Sequence, residues 1–221
     1  MAIRSTQGER FGEAWDALGN MVAGDGSATM PHAVALMQPD APARDLADAA
    51  HCLCMLHGRH PGLLEAALDR ATHPVAAAWL AEAAEAFAAE RATLVSIIAR
   101  VGSLPSTPGQ AESEAAIAGQ RHALDMLVTS DRAGCPLGAA VALVLDWPVF
   151  RLTLDIVAAR VGHAAAPSFL PNARDSAAVV AELAITPAFD RAMLFGAQQT
   201  LAQHRALWQL LEARAAARLR V

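Results

Sequence analysis

Apolar residues recur along much of this chain at three- and four-residue spacing. One stripe runs through Leu80, Ala83, Phe87, Leu94, Ile97 and Val101, and another through Leu194, Ala197, Leu201, Trp208 and Leu211. That spacing places a side chain on one face of a helix at every turn, so both segments predict amphipathic helices. From Leu137 to Leu145 the chain is apolar nearly all round, which predicts a central, buried helix. The small residues Gly138, Ala139, Ala140 and Ala142 on that helix would let a neighbour approach closely. Pro148, inside the same run, predicts a kink near Asp146-Trp147. No stretch alternates apolar and polar residues with β-branched enrichment, so no strands are expected.

The punctuation agrees with the periodicity. A small or polar residue followed by proline marks helix starts at His73-Pro74, Thr107-Pro108 and Thr186-Pro187. Proline suits a first helical turn because its missing N–H would have no partner there. Thr107 and Gln110 have capping-box spacing, and Asn172 with Asp175 is an acidic variant. Gly58, Gly102 and Gly162 are expected as left-handed stops. These signals predict short helices at roughly 8–23, 30–37, 42–58, 61–71 and 173–184, and long ones at 74–101, 109–130, 136–162 and 187–218. The expected architecture is all-α: one domain over 1–221, with the short helices of 1–72 packed on a bundle of four long helices in 73–221.

Composition narrows the chemistry. The 221 residues include 54 alanines and neither lysine nor tyrosine, so all 17 basic side chains are arginine. Schiff-base anchoring through lysine and phenolic acid or radical chemistry are excluded. The preference for alanine, and for arginine over lysine, matches GC-rich bacterial coding. Net charge is −5, and the nearest basic group, Arg214, Arg218 and Arg220, reads as the solvated end of a helix, so no nucleic-acid partner is expected. The longest apolar run, Leu137 to Phe150, is short of the ~20 residues a bilayer needs, and the first residues carry no apolar leader. With three cysteines, an odd number, the expectation is a cytoplasmic protein with free thiols and no membrane partner.

Two polar constellations stand out. His51, Cys54, His57 and His60 are spaced three apart at the end of one predicted helix and offer imidazole and thiolate to a transition metal. The second group is dispersed. Glu90 and His204 interrupt apolar stripes, His122 and Asp125 lie one turn apart, and Asp146 and Asp155 sit among apolar neighbours. Buried ionisable groups cost several kcal/mol unless paired, so Glu90 and His204 are expected to be buried against a partner, ligand or metal. Trp79, Phe87, Trp147, Phe150 and Trp208 are candidates to line a pocket for a small apolar ligand.

Four long helices offering inward carboxylates and histidines resemble the di-iron carboxylate bundle of ferritin-like proteins. The resemblance covers the last two-thirds of the chain and implies a metal-dependent oxidoreductase. The chain departs from that family's Glu-x-x-His motif: His122-Ala123-Leu124-Asp125 reverses the order, and Leu201 stands three before His204. The size and helicity also resemble heme-oxygenase-like and thiaminase-like domains, without their ligand or catalytic motifs. The leading expectation is a non-catalytic binding or self-associating domain without a cofactor. Alanines from Ala76 to Ala89 would form a flat face for a second copy.

Overall fold

The structure is a computed structural model that describes residues 12–103, 109–184 and 186–220. Among these residues the chain is all-α, with no strand. The helices are α1 (Glu13–Asp25), α2 (Pro31–Leu36), α3 (Ala43–His57), α4 (Leu63–Asp69), α5 (Pro74–Val101), α6 (Gln110–Val128), α7 (Cys135–Arg160), α8 (Ala173–Leu183) and α9 (Pro187–Arg218). A single 3-10 turn, Ser27–Thr29, follows α1. The expected element order is reproduced, and the caps act as their chemistry requires. His73 Nδ1 accepts from Val75 N–H at 3.3 Å, Thr186 Oγ1 from Phe189 N–H at 3.2 Å, and Asn172 Oδ1 from the N–H groups of Arg174 and Asp175. Thr107 and residues 8–11 lie outside the described residues, and α6 is preceded by Gly109 at φ 78°.

The two apolar stripes become core. Leu80, Ala83, Phe87, Leu94 and Ile97 of α5 are buried, as are Ala197, Leu201, Trp208 and Leu211 of α9. Helix α7 is the centre of the molecule, touching α3, α4, α5, α6 and α9. Its partnership with α9 is the most extensive in the fold and rests on two glycines. A Cβ on Gly138 would stand 1.9 Å from the Met193 carbonyl oxygen, and one on Gly196 would stand 2.2 Å from that of Cys135. Any side chain there would force the helices apart. The short helices dress this centre: α3 packs on α5, α6 and α7, α4 on α5, and α1 and α2 on α9.

Helix α7 is continuous through Pro148, which lies on its exposed side. Several expectations need correction. Gly58 is not a left-handed stop but lies at φ −76°, whereas Gly102 (78°) and Gly162 (66°) have the positive φ expected. The alanine face of α5 is divided: Ala76, Ala83, Ala84 and Ala86 are covered by the chain itself, while exposed Ala78, Ala81, Ala88 and Ala89 share their side with Glu82 and Glu85. The arginines at the end of α9 are not simply solvated. Arg214 donates to Asp48 (Nε–Oδ2 3.3 Å) and to Ser113 Oγ (2.9 Å), and Arg218 bonds Asp45 and Asp48 of α3. By length and composition α7 could cross a bilayer, but 78% of its apolar window is buried by the rest of the chain, as a core helix requires.

Candidate functional site

Asp146, the residue directly after the apolar run Leu137–Leu145 of α7, is buried and is met from two sides. The turn after α1 brings Ser27, whose N–H donates to Oδ1 at 2.7 Å and whose hydroxyl donates to Oδ2 at 2.6 Å. Gly26 permits that approach, since a Cβ there would lie 2.9 Å from Asp146 Oδ1. From α9, His204 points Nδ1 at Oδ2 from 2.7 Å. Burial by itself would raise the Asp146 pKa, but the hydrogen bond and charge of His204, with both bonds from Ser27, hold it below its ordinary 3.8. Asp146 is therefore an ionised acceptor, and His204 donates to it through Nδ1–H.

This leaves His204 Nε2 free to meet Nε2 of His57, 3.2 Å away at the end of α3. Burial, reinforced by repulsion from His204, pushes the His57 pKa well below 6.5, so this ring is neutral. One proton lies between the two Nε2 atoms, whichever ring carries it. The result is a buried line, Ser27–Asp146–His204–His57, drawn from four separate elements. Aromatic rings enclose it. His57 lies edge-on to Phe87, Trp147 and Phe150, and Phe150 stacks on Trp208 with centroids 5.1 Å apart. These rings pack on one another and fill the interior, and of them Phe87 alone also borders a small cavity. Beside His57 is a cavity of about 20 Å³, also walled by Leu56, Phe87, Leu124 and the Arg59–Asp125 ion pair, with room for about one water.

A second buried network adjoins the first through Trp147. Glu90 accepts from Trp147 Nε1–H at 3.0 Å and from Arg151 Nη1 at 2.9 and 3.0 Å. Arg151 continues to Asp155 at 2.8 Å and to the Ala166 carbonyl. Burial would lower the Arg151 pKa, but Asp155 and Glu90 raise it, so the cation is held firmly. Glu90 and His204 are both buried, as their stripes require, at 2% and 0% exposure. They belong to different networks, each closed by protein donors.

The other sequence candidates are dispersed. His122 is exposed, Asp125 is on the surface with Arg59, and the Asp155 side chain is 45% exposed. The four residues spaced three apart at the end of α3 diverge, because each step turns the helix by about 300°. His51 bonds the Gly102 carbonyl at 2.8 Å. Half-buried Cys54 has its thiol pKa raised by burial. His57 points into the core, and His60 lies beyond the helix near Glu65 and Arg91. Among the described residues no group of three or more histidines, cysteines or acids is gathered to hold a metal. Sequence reasoning missed Ser27 and Arg151 altogether, although an arginine amid the apolar residues of mid-α7 was a signal of buried pairing.

An open site lies at the far end of α7 from Arg160. The first turns of α5, α7 and α9 frame a cavity of about 270 Å³, with Ala67, Ala76, Leu80, Leu137 and Leu183 as its apolar wall. Phe189, Arg132 and Ala133 separate it from a shallower cavity of about 580 Å³ that runs along α9 past Arg191 to Phe195. No residue of this cleft stood out as a candidate in the sequence, because its parts are unremarkable alanines, leucines and loop arginines. No curated protein and no solved structure matches the chain. A family model does match residues 22–219, nearly all of the described structure, and the chain belongs to that family of unknown function, DUF6975.

Proposed function

We propose that this protein is a non-catalytic binding domain whose ligand occupies the cleft framed by the first turns of α5, α7 and α9. The observation that carries this reading is the pair of adjoining cavities, about 270 and 580 Å³, that share Arg132, Ala133 and Phe189. An apolar concavity with a few polar groups at its rim is the usual form of a small-molecule site. The buried Asp146–His204–His57 line supports the same division of labour. It ends on aromatic rings beside a cavity with room for about one water, so it organises the core rather than facing a substrate. The three free thiols are consistent with a cytoplasmic setting.

The test is a two-dimensional NMR titration of the whole chain with octanol, an uncharged apolar probe. Shifts are expected to concentrate on Ala76, Leu80, Leu137 and Phe189 and to disappear in Ala76→Phe, which fills the apolar wall. Shifts scattered over the surface, or unchanged in the filled variant, would overturn the reading.

A further inference from the structure

Resting on that reading of the cleft, we infer that its ligand is an amphipathic anion: an apolar tail held between α5 and α7, with a carboxylate or similar head at Arg132 and Arg191. The argument begins with how this chain treats its arginines. Acids outnumber bases, 22 to 17, and Arg59, Arg91, Arg151, Arg214 and Arg218 each hold a carboxylate. Arg70, at the rim of the deeper cavity, is likewise neutralised by Asp131 at 3.2 Å. Arg44, Arg100, Arg121, Arg160 and Arg220 have no carboxylate partner among the described residues, but none of them lines the cleft, and Arg100, Arg121 and Arg160 bond backbone carbonyls. Arg132 and Arg191 are the unpaired arginines of the cleft itself. Neither has a carboxylate partner among the described residues, although both line the cleft. The Arg132 guanidinium lies 5.5 Å over the Phe195 ring, which positions it without neutralising it.

The lining therefore carries two uncompensated positive charges, with its one acid, Asp131, already engaged. Asp190, between Phe189 and Arg191 in sequence, is not part of the lining. The first turns of α5, α7 and α9 contribute Ala76, Leu137 and Phe189, so the positive ends of three helix dipoles add to the same potential. The deeper cavity has the opposite character. Ala67, Ala76, Leu80, Leu137 and Leu183 are buried and offer a tail no polar partner. An uncharged apolar molecule would leave both arginines unused, and a cation would be repelled. A planar guanidinium pairs with carboxylate in a fork geometry, so a carboxylate head matches this rim.

The experiment compares octanoate, octanol and octylammonium, one tail with three heads, by calorimetry and NMR titration of the whole chain. Octanoate is expected to bind about tenfold or more tightly than octanol, as a hydrogen bond to a charged group implies, with octylammonium weakest. In Arg132→Ala/Arg191→Ala the octanoate advantage should vanish while octanol binding persists, which shows that the variant is folded and its cavity intact. If octanol and octanoate bind equally with shifts on the same cleft residues, the binding reading stands and the anionic head is refuted. If neither probe perturbs the cleft, both fail. A concentration-dependent mass by light scattering that is lost in Phe195→Ser would also overturn the inference, because the cleft would then be covered by a second copy.

Discussion

The interior around Asp146 and the cleft at the start of α9 treat charge in opposite ways. Inside, acids and bases are matched atom to atom: Asp146 has Ser27 and His204, and Glu90 has Trp147 and Arg151. At the cleft, Arg132 and Arg191 are exposed and neither is paired with an acid. Burial explains the difference. A desolvated charge must be neutralised within the fold, whereas an exposed one is stabilised by water and stays available to a ligand. The conspicuous polar residues of this protein are thus committed to its own architecture, and the available ones are inconspicuous.

The sharpest way to break this comparison is to remove a matched partner. In Glu90→Leu the half of the pair left behind is Arg151, whose side chain is only 9% exposed, together with an unsatisfied Trp147 N–H. The expected loss is about 1–3 kcal/mol in urea unfolding, since Arg151 keeps Asp155 and the Ala166 carbonyl but loses its buried carboxylate, and Trp147 N–H loses its acceptor. A raised stability would mean that Glu90 is kept against stability, as residues in functional sites are, and would return the interior to contention as a site.

Acidification tests the same region less severely. The unfolded chain takes up a proton on His57 near 6.5, but the folded chain resists it because the ring is buried beside His204. Stability from this group is complete above about pH 7 and is lost as pH falls from 6.5 toward the lower folded value. Asp146, depressed below 3.8, adds stability that holds above that value and is lost as pH falls through the folded pKa. His32, also lowered chiefly by burial, acts in the same direction as His57. Thermal midpoints are therefore expected to fall from about pH 7 to 5, less steeply in His57→Phe. An equal slope in that variant would show that His57 is not the desolvated group.

The smallest effect belongs to the cleft. Arg132→Ala/Arg191→Ala is expected to change unfolding free energy by no more than about 0.5 kcal/mol, as for surface positions that hold no structural partner. A loss comparable to that of Glu90→Leu would show that these arginines are structural and would erase the contrast.

Much of the helical frame was legible because helix signals are local. The stripe from Leu80 to Ile97, the caps at His73, Asn172 and Thr186, and the all-apolar run of α7 needed only neighbours within a turn or two. The small-residue character of α7 foretold a close neighbour, and Gly138 against Met193 supplies it. Interrupted stripes likewise marked Glu90 and His204 as buried. Their partners were not legible: Asp146 meets Ser27 across 119 positions, and His204 meets His57 across 147. Nothing in one stripe specifies which other stripe will face it. Three-residue spacing also misled at His51, Cys54, His57 and His60, because regular spacing on one helix distributes directions rather than collecting them. The sequence by itself determined the helices, their buried faces and the need to pair each interrupting charge. Only the tertiary structure decided which charges pair, and that two arginines without an acid partner come together at one cleft, because pairing depends on distances set by packing elements far apart in the chain.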